Sequence, residues 1–177
     1  MRLFVALPLP EAVTAPLVRL AEAAPVGRAV AEENLHLTLA FLGEVGQSAL
    51  PALDGALSAV CAPPVCLSFH EVAALGGRQA RVVALTARGP EALYKRIASA
   101  LRLAGFALPR RRFRAHVTLL RLPRRLEPGQ EQRLARFLAR LGAPPIGPVS
   151  IDRFTLYASQ LHPDGARYEP LAEYALR

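Results

Sequence analysis

A short motif occurs twice in the chain, first as His36-Leu37-Thr38-Leu39 and again as His116-Val117-Thr118-Leu119. Each copy lies in a run of alternating polar and apolar residues, which is typical of a half-buried β-strand. A segment with helical periodicity follows each copy. The repeat therefore predicts a duplicated α+β unit with two lobes that face each other.

The rest of the chain supplies strand and helix patterns around the two copies. Short apolar or alternating runs predict strands at 2–7, 35–42, 65–72, 81–86, 113–120, 150–157 and 172–176. Apolar residues at helical spacing predict helices at 11–24, 47–60, 90–103 and 128–141. Because no obvious linker divides the chain, residues 1–177 are expected to form one two-lobed domain.

Side chains two residues apart on a strand share a face, so each copy presents one His and one Thr together. In the first copy His36 and Thr38 share a face with Ala40, opposite an apolar face formed by Leu35, Leu37, Leu39 and Phe41. In the second copy His116 and Thr118 share a face with Arg114, opposite Phe113, Ala115, Val117 and Leu119.

Two histidines that ionise near neutral pH suit displacement at phosphorus. One imidazole takes a proton from the nucleophile, and the other gives a proton to the leaving oxygen. Hydroxyls of Thr38 and Thr118 can donate to the non-bridging phosphate oxygens. The alternative interpretation is that each pair is only the polar outer face of a strand, which explains one copy better than two.

Metal binding is a second use of histidines, but the sequence favours it less. A metal site takes further Asp, Glu, His or Cys ligands, typically three or four in all. Neither motif strand contains one, since Glu32, Glu33 and Glu44 lie outside. We expect His36 and His116 to act without a metal.

The net charge of +8 suggests an acidic partner, although a GC-rich coding bias would also enrich arginine. The placement of the arginines is more informative, because they crowd residues 110–125 around the second motif. Arg110, Arg112 and Arg114 are candidate contacts to an RNA backbone, with a solvated strand end as the alternative.

Arg121 is a separate candidate, as a ligand of the reacting phosphate. Strict alternation points it away from His116, but the strand is ending there, near Pro123. The matching residue of the first copy is Phe41, so the site is predicted to be asymmetric, with a cation on one side only.

These residues resemble the RNA 2',3'-cyclic phosphodiesterases of the two-histidine phosphoesterase superfamily, historically called 2'-5' RNA ligases. The resemblance covers most of the chain and lies in the segments 2–7, 34–45, 113–121, 156–161 and 165–168. It implies an α+β fold of two antiparallel sheets that line a central cleft, with helices on the outside. It also implies that no metal, ATP or other cofactor is needed.

By the same resemblance, His36 would be the general acid on the departing O3' and His116 the general base on water, leaving a 2'-phosphate. Arg121 matches the cationic residue that follows the second motif in the family. Ala40 departs from the pattern, because the family often has a basic residue there.

Other functions stay open. ATP-independent 2'-5' RNA joining or cleavage would use the same histidines. A non-catalytic module would only bind RNA ends. A related phosphodiesterase would act on 2',5'-linked oligonucleotides or small cyclic nucleotides. An ATP-dependent ligase is disfavoured, because its one candidate lysine nucleophile, Lys95, lies in a predicted helix.

No apolar run approaches the roughly 18 residues that a membrane span needs. Two cysteines, Cys61 and Cys66, do not make a disulfide framework. The expected protein is a cytoplasmic monomer that binds no membrane and acts on RNA with a 2',3'-cyclic phosphate end.

Overall fold

The computed structural model describes residues 1–77, 79–110, 112–142, 144–162 and 165–177. Within these ranges the strands are β1 (Arg2–Pro8), β2 (Arg28–Ala29), β3 (His36–Glu44), β4 (Val65–Gly76), β5 (Ala80–Arg88), β6 (His116–Arg121), β7 (Val149–Ile151), β8 (Arg153–His162) and β9 (Gly165–Ala175). The α-helices are α1 (Glu11–Glu22), α2 (Leu50–Ser58), α3 (Glu91–Leu103) and α4 (Pro128–Arg140).

The strands pair antiparallel in the order β7-β4-β5-β6-β3-β1-β8-β9, and the short β2 pairs with β6. The predicted α+β fold with antiparallel sheets is therefore confirmed. The two groups of strands are joined rather than separate, because β3 and β6 pair through Leu37 and Val117. The two motif strands thus lie side by side at the centre of the sheet.

Helices α1 and α3 pack against the motif strands through their apolar faces. Leu93, Ile97 and Leu101 recur every fourth residue on α3 and are buried, the spacing that puts side chains on one face of a helix. Helix α3 contacts β3, and α1 contacts β6. Leu37 and Val117 belong to the same apolar core, so the opposite side of both motif strands remains for polar residues.

Some element boundaries differ from the prediction. Strand β6 begins at His116 rather than at residue 113. Phe113 lies before the strand, and its ring stacks on Tyr94 of α3 with centroids 4.0 Å apart. The predicted strand 150–157 is divided between β7 and β8. The predicted strand 172–176 is the end of the long β9, which pairs with β8 as a hairpin.

In the described part of the chain, no helix has the length and apolar character needed to cross a membrane.

Candidate functional site

The sheet brings the two histidine motifs together. Leu37 and Val117 are direct partners across β3 and β6, and both are fully buried. Antiparallel partners share a face, and the residues on either side of them point to the other face. This register sets the half-buried His36 across from Thr118, and Thr38 across from His116.

Both histidine rings are held by the same local contact. The Nδ1 atom of His36 lies 2.8 Å from the carbonyl oxygen of Asn34, and Nδ1 of His116 lies 2.7 Å from that of Arg114. A carbonyl oxygen only accepts, so each Nδ1 carries the hydrogen. In the neutral ring Nε2 is then the unprotonated nitrogen, which is the atom available for proton transfer in both copies.

Thr38 contacts this second nitrogen of His36. Its Oγ1 lies 3.0 Å from Nε2. Because Nδ1 of His36 donates to Asn34, the neutral ring accepts a hydrogen bond from the Thr38 hydroxyl. The His and Thr of the first motif therefore form one hydrogen-bonded unit on the strand surface.

The surroundings of His36 lower its pKa from the ordinary value of 6.5 to about 4. Burial is the main cause, because it penalises the charged imidazolium. The hydrogen bond to Asn34 opposes this shift, while the nearby Arg121 and His116 add to it. His36 is therefore neutral at pH 7 in the unliganded protein.

Aromatic rings provide this burial. The centroid of the His36 ring lies 4.9 Å from that of Phe4 and 5.2 Å from that of Tyr168, which meets it edge-on. The Tyr157 ring also stacks on Phe4, with centroids 5.2 Å apart. The sequence analysis did not single out Phe4, which lies in the apolar run of β1.

A β-bulge interrupts β3 just after the motif. Val5 of β1 pairs with Ala40, and the next residue of β1, Ala6, pairs with Thr38. Leu39 is therefore an extra residue with no partner on β1. A bulge of this kind reverses the alternation of faces beyond it.

Strand β6 has the same irregularity at the matching position. Val83 of β5 pairs with Leu120, and the next residue, Ala84, pairs with Thr118. Leu119 is the extra residue here. Leu119 and Leu120 are both buried, so the alternation of faces is broken at this point.

The two bulges place Phe41 and Arg121 on the same side as the histidines. The predicted burial of Phe41 is wrong: the side chain is 49% exposed, and its ring lies 5.9 Å from that of Phe4. Ala40, predicted beside His36, lies instead in the apolar core.

Arg121 lies next to the aromatic rings around His36. Its Nη2 donates to the Tyr168 hydroxyl over 3.2 Å. It also lines a small cavity of about 90 Å³ with Asn34 and Tyr168, among other residues. The structure thus places Arg121 near His36, on the polar side of the motif strands.

The arginines before the second motif lie outside the strand. Arg110, Arg112 and Arg114 are exposed in the connection that leads from α3 to β6. Arg111 lies outside the described residues. The backbone carbonyl of Arg114 is the acceptor for His116, so this connection also positions the second histidine.

Within the described part of the chain, no group of three or more His, Cys, Asp or Glu side chains is arranged to hold a metal ion.

Thr118 lies half-buried between Val117 and Leu119, on the side of β6 that carries His116. The His and Thr of each motif thus lie on the polar side of their strand, as the alternation predicted.

Comparison with known proteins places this geometry in context. The chain matches the family described as the 2'-5' RNA ligase superfamily over residues 9–163. An Archaeoglobus fulgidus protein named RNA 2',3'-cyclic phosphodiesterase is 30% identical, over 97% of this chain and 98% of its own length. An Escherichia coli protein of the same name is 32% identical, over 99% of this chain and 96% of its own length. The crystal structure of E. coli LigT in its apo form matches with a TM-score of 0.81 at 31% identity, over 99% of this chain and 96% of that chain.

Proposed function

Because this chain belongs to the 2'-5' RNA ligase superfamily, we propose that it hydrolyses the 2',3'-cyclic phosphate at an RNA end and leaves a 2'-phosphate. The names of the A. fulgidus and E. coli relatives support this reaction. The observation that carries the proposal is the pairing of β3 with β6, which puts His36, Thr38, His116 and Thr118 on one side of adjacent strands. Residues 1–177 act as one two-lobed catalytic unit.

The reaction needs one proton removed and one supplied. A water oxygen attacks phosphorus while one histidine takes a proton from it. The bond from phosphorus to O3' breaks, and the other histidine gives a proton to O3'. Each step uses Nε2, because Nδ1 of His36 and of His116 is bound to a backbone carbonyl.

Charge on the phosphate is stabilised by the neighbouring side chains. Thr38, Thr118 and Arg121 donate to the non-bridging oxygens, where negative charge accumulates in the transition state. The mechanism uses no metal and no ATP. Activity is therefore expected to persist in EDTA.

The two histidines have different roles. We assign the general acid to His36, as the family resemblance implies, and the general base to His116. His36 is neutral in the unliganded protein because its pKa is about 4. Bound phosphate brings a negative charge that opposes the effect of Arg121 and His116, and so raises the pKa of His36 towards a value at which it holds the proton.

Arg110, Arg112 and Arg114 extend the binding surface along the RNA backbone. All three are exposed and lie directly before β6 in the chain. Guanidinium groups match phosphate oxygens in a forked geometry. They contribute affinity for RNA rather than to the chemical step.

The test uses an RNA oligonucleotide with a 2',3'-cyclic phosphate end, with EDTA and without ATP. Turnover to a 2'-phosphate should be lost in His36→Ala and in His116→Ala. His70→Ala is the matched control, because His70 is an exposed histidine of β4 that belongs to neither motif. A folded wild-type protein that binds this RNA without turnover would indicate a module that only binds RNA ends, and a joined product would indicate ligation.

A further inference from the structure

Arg28 lies opposite Arg121 in the sheet, outside both histidine motifs. Strand β2 pairs antiparallel with β6, and Arg28 and Arg121 are direct partners. Both side chains are exposed. Each guanidinium group carries several N–H donors that match phosphate oxygens, so two guanidinium groups directly across a strand pair can contact two neighbouring phosphates.

Glycine allows this close approach. Gly27 has a φ of +101°, and a Cβ there would lie 3.2 Å from the Arg121 carbonyl oxygen and 3.1 Å from Leu122. Only glycine readily combines this backbone conformation with such close packing. The backbone of Val30 then donates to the Leu119 carbonyl over 2.8 Å, which fixes β2 along β6.

The start of β9 also lies against Arg28. A Cβ at Gly165 would lie 3.3 Å from an Nη atom of Arg28, so the guanidinium rests against this glycine. Arg28, Arg121, Gly165 and Tyr168 line the same cavity of about 90 Å³. This volume exceeds the roughly 10–15 Å³ that one water molecule needs, so the cavity has room for several small polar groups.

Asn34 adds a polar group to the same cavity. Its Nδ2 donates to the Ala166 carbonyl over 2.9 Å, while its buried Oδ1 has no hydrogen-bond partner among the described residues. A buried acceptor of this kind is stabilised when a ligand brings an O–H or N–H donor. In an RNA with a cyclic phosphate end, such a donor is available in the 2'-hydroxyl of the preceding nucleotide, because both hydroxyls of the terminal ribose are esterified.

We propose that Arg28, next to Arg121 across the strand pair, forms a second phosphate subsite, which holds the phosphate on the 5' side of the reacting nucleotide while Arg121 contacts the reacting phosphate. The inference rests on the proposed function, because that function places the cyclic phosphate beside His36. Tyr168 connects the two positions, since its hydroxyl accepts from Arg121 and its ring lies 5.2 Å from His36. In RNA with a cyclic end, the neighbouring internucleotide phosphate always lies on the 5' side.

The test compares adenosine 2',3'-cyclic phosphate with the same compound carrying a 5'-phosphate. In the wild type the 5'-phosphate should raise kcat/KM by about tenfold, the effect expected for one charge-assisted contact. Arg28→Gln keeps two of the three methylenes and removes the charge, so it should bring the ratio of the two kcat/KM values close to one. Arg28→Lys should give an intermediate ratio, and Arg102→Gln, an exposed position on α3, should keep the wild-type ratio.

A ratio near one in the wild type, or a full ratio in Arg28→Gln, would overturn the subsite and leave the proposed reaction in place. A binding measurement separates the two ideas if neither compound is turned over. Calorimetry would compare adenosine 2'-phosphate with adenosine 2',5'-bisphosphate. If the wild type binds the bisphosphate more tightly and Arg28→Gln removes this difference in affinity, the subsite is supported even without turnover. If the wild type binds both compounds equally, the subsite is rejected.

Discussion

The Nη2 atom of Arg121 lies 3.2 Å from the hydroxyl of Tyr168, so the end of β6 is tied to β9 across the site. The same tyrosine meets the His36 ring edge-on. One side chain thus positions the cation and shields the histidine. The two roles can be separated, because the first needs the hydroxyl and the second needs only the ring.

Tyr168→Phe should therefore raise KM for cyclic-phosphate RNA by about fivefold, with a smaller change in kcat, since one neutral hydrogen bond contributes roughly 1 kcal/mol. Steady-state kinetics would measure both constants. Tyr157→Phe is the control, because its ring also packs on Phe4. Equal kinetics for wild type and Tyr168→Phe would mean that the hydroxyl does not position Arg121 for substrate.

The lowered pKa of His36 predicts a pH dependence of stability. The folded protein releases the His36 proton at about pH 4, whereas the unfolded chain does so near 6.5. The unfolded state therefore binds more protons between these values, and stability falls as the pH is lowered through this window. The contribution of neutral His36 to stability is fully present above about pH 6.5.

Urea unfolding at several pH values would measure this effect. When the pH falls from about 7.5 to 5, the free energy of unfolding of the wild type should decrease by about 2 kcal/mol more than that of His36→Gln. His70→Gln should follow the wild type, since His70 is exposed on β4. Parallel curves for wild type and His36→Gln would show that burial of His36 does not penalise its charge.

The acid and base roles can be assigned with a modified leaving group. A substrate with sulfur in place of O3' leaves as a thiolate, which needs little protonation because a thiol has a pKa of about 8.5. His36→Ala should regain most of its activity on this substrate, and His116→Ala should not. The reverse pattern would exchange the two roles.

The hydroxyl of Thr38 is expected to matter more than its shape. Thr38→Val keeps a β-branched side chain on β3 but removes the donor that lies 3.0 Å from His36 Nε2. Loss of one donor to a developing charge typically lowers kcat by about 100-fold or more. Thr38→Ser should keep most of the activity, and a fully active Thr38→Val would exclude a role for the hydroxyl.

The arginines before β6 should influence salt dependence rather than chemistry. Replacing Arg110, Arg112 and Arg114 by Gln should flatten the dependence of log(kcat/KM) on log salt concentration for long RNA, by about 0.7 for each phosphate that is no longer neutralised. The slope for a cyclic mononucleotide should change little. The control replaces three exposed arginines of α4: Arg133, Arg136 and Arg140. An unchanged slope for long RNA would place the backbone elsewhere.

Much of the site could be predicted from local sequence. Alternation with a period of two places His36 with Thr38, and His116 with Thr118, on the polar side of their strands whatever the rest of the chain does. The helices are likewise visible in apolar spacing, as with Leu93, Ile97 and Leu101 of α3. These features depend only on residues close together in the chain.

Alternation failed where pairing with a neighbouring strand changed it. The bulges at Leu39 and Leu119 turn Phe41 and Arg121 towards the histidines, and no local pattern marks either bulge. Pro123 did indicate that alternation near Arg121 was unreliable, but Phe41 carried no such signal.

Local sequence alone is enough to put each histidine and its threonine on one strand face. The environment of these side chains depends on the fold, which brings Phe4 and Tyr168 to His36 and sets Arg28 opposite Arg121. Burial, register and electrostatic environment arise between segments that are distant in the chain, so no local pattern encodes them. The low pKa of His36 is one result, because it comes mainly from burial that the fold creates.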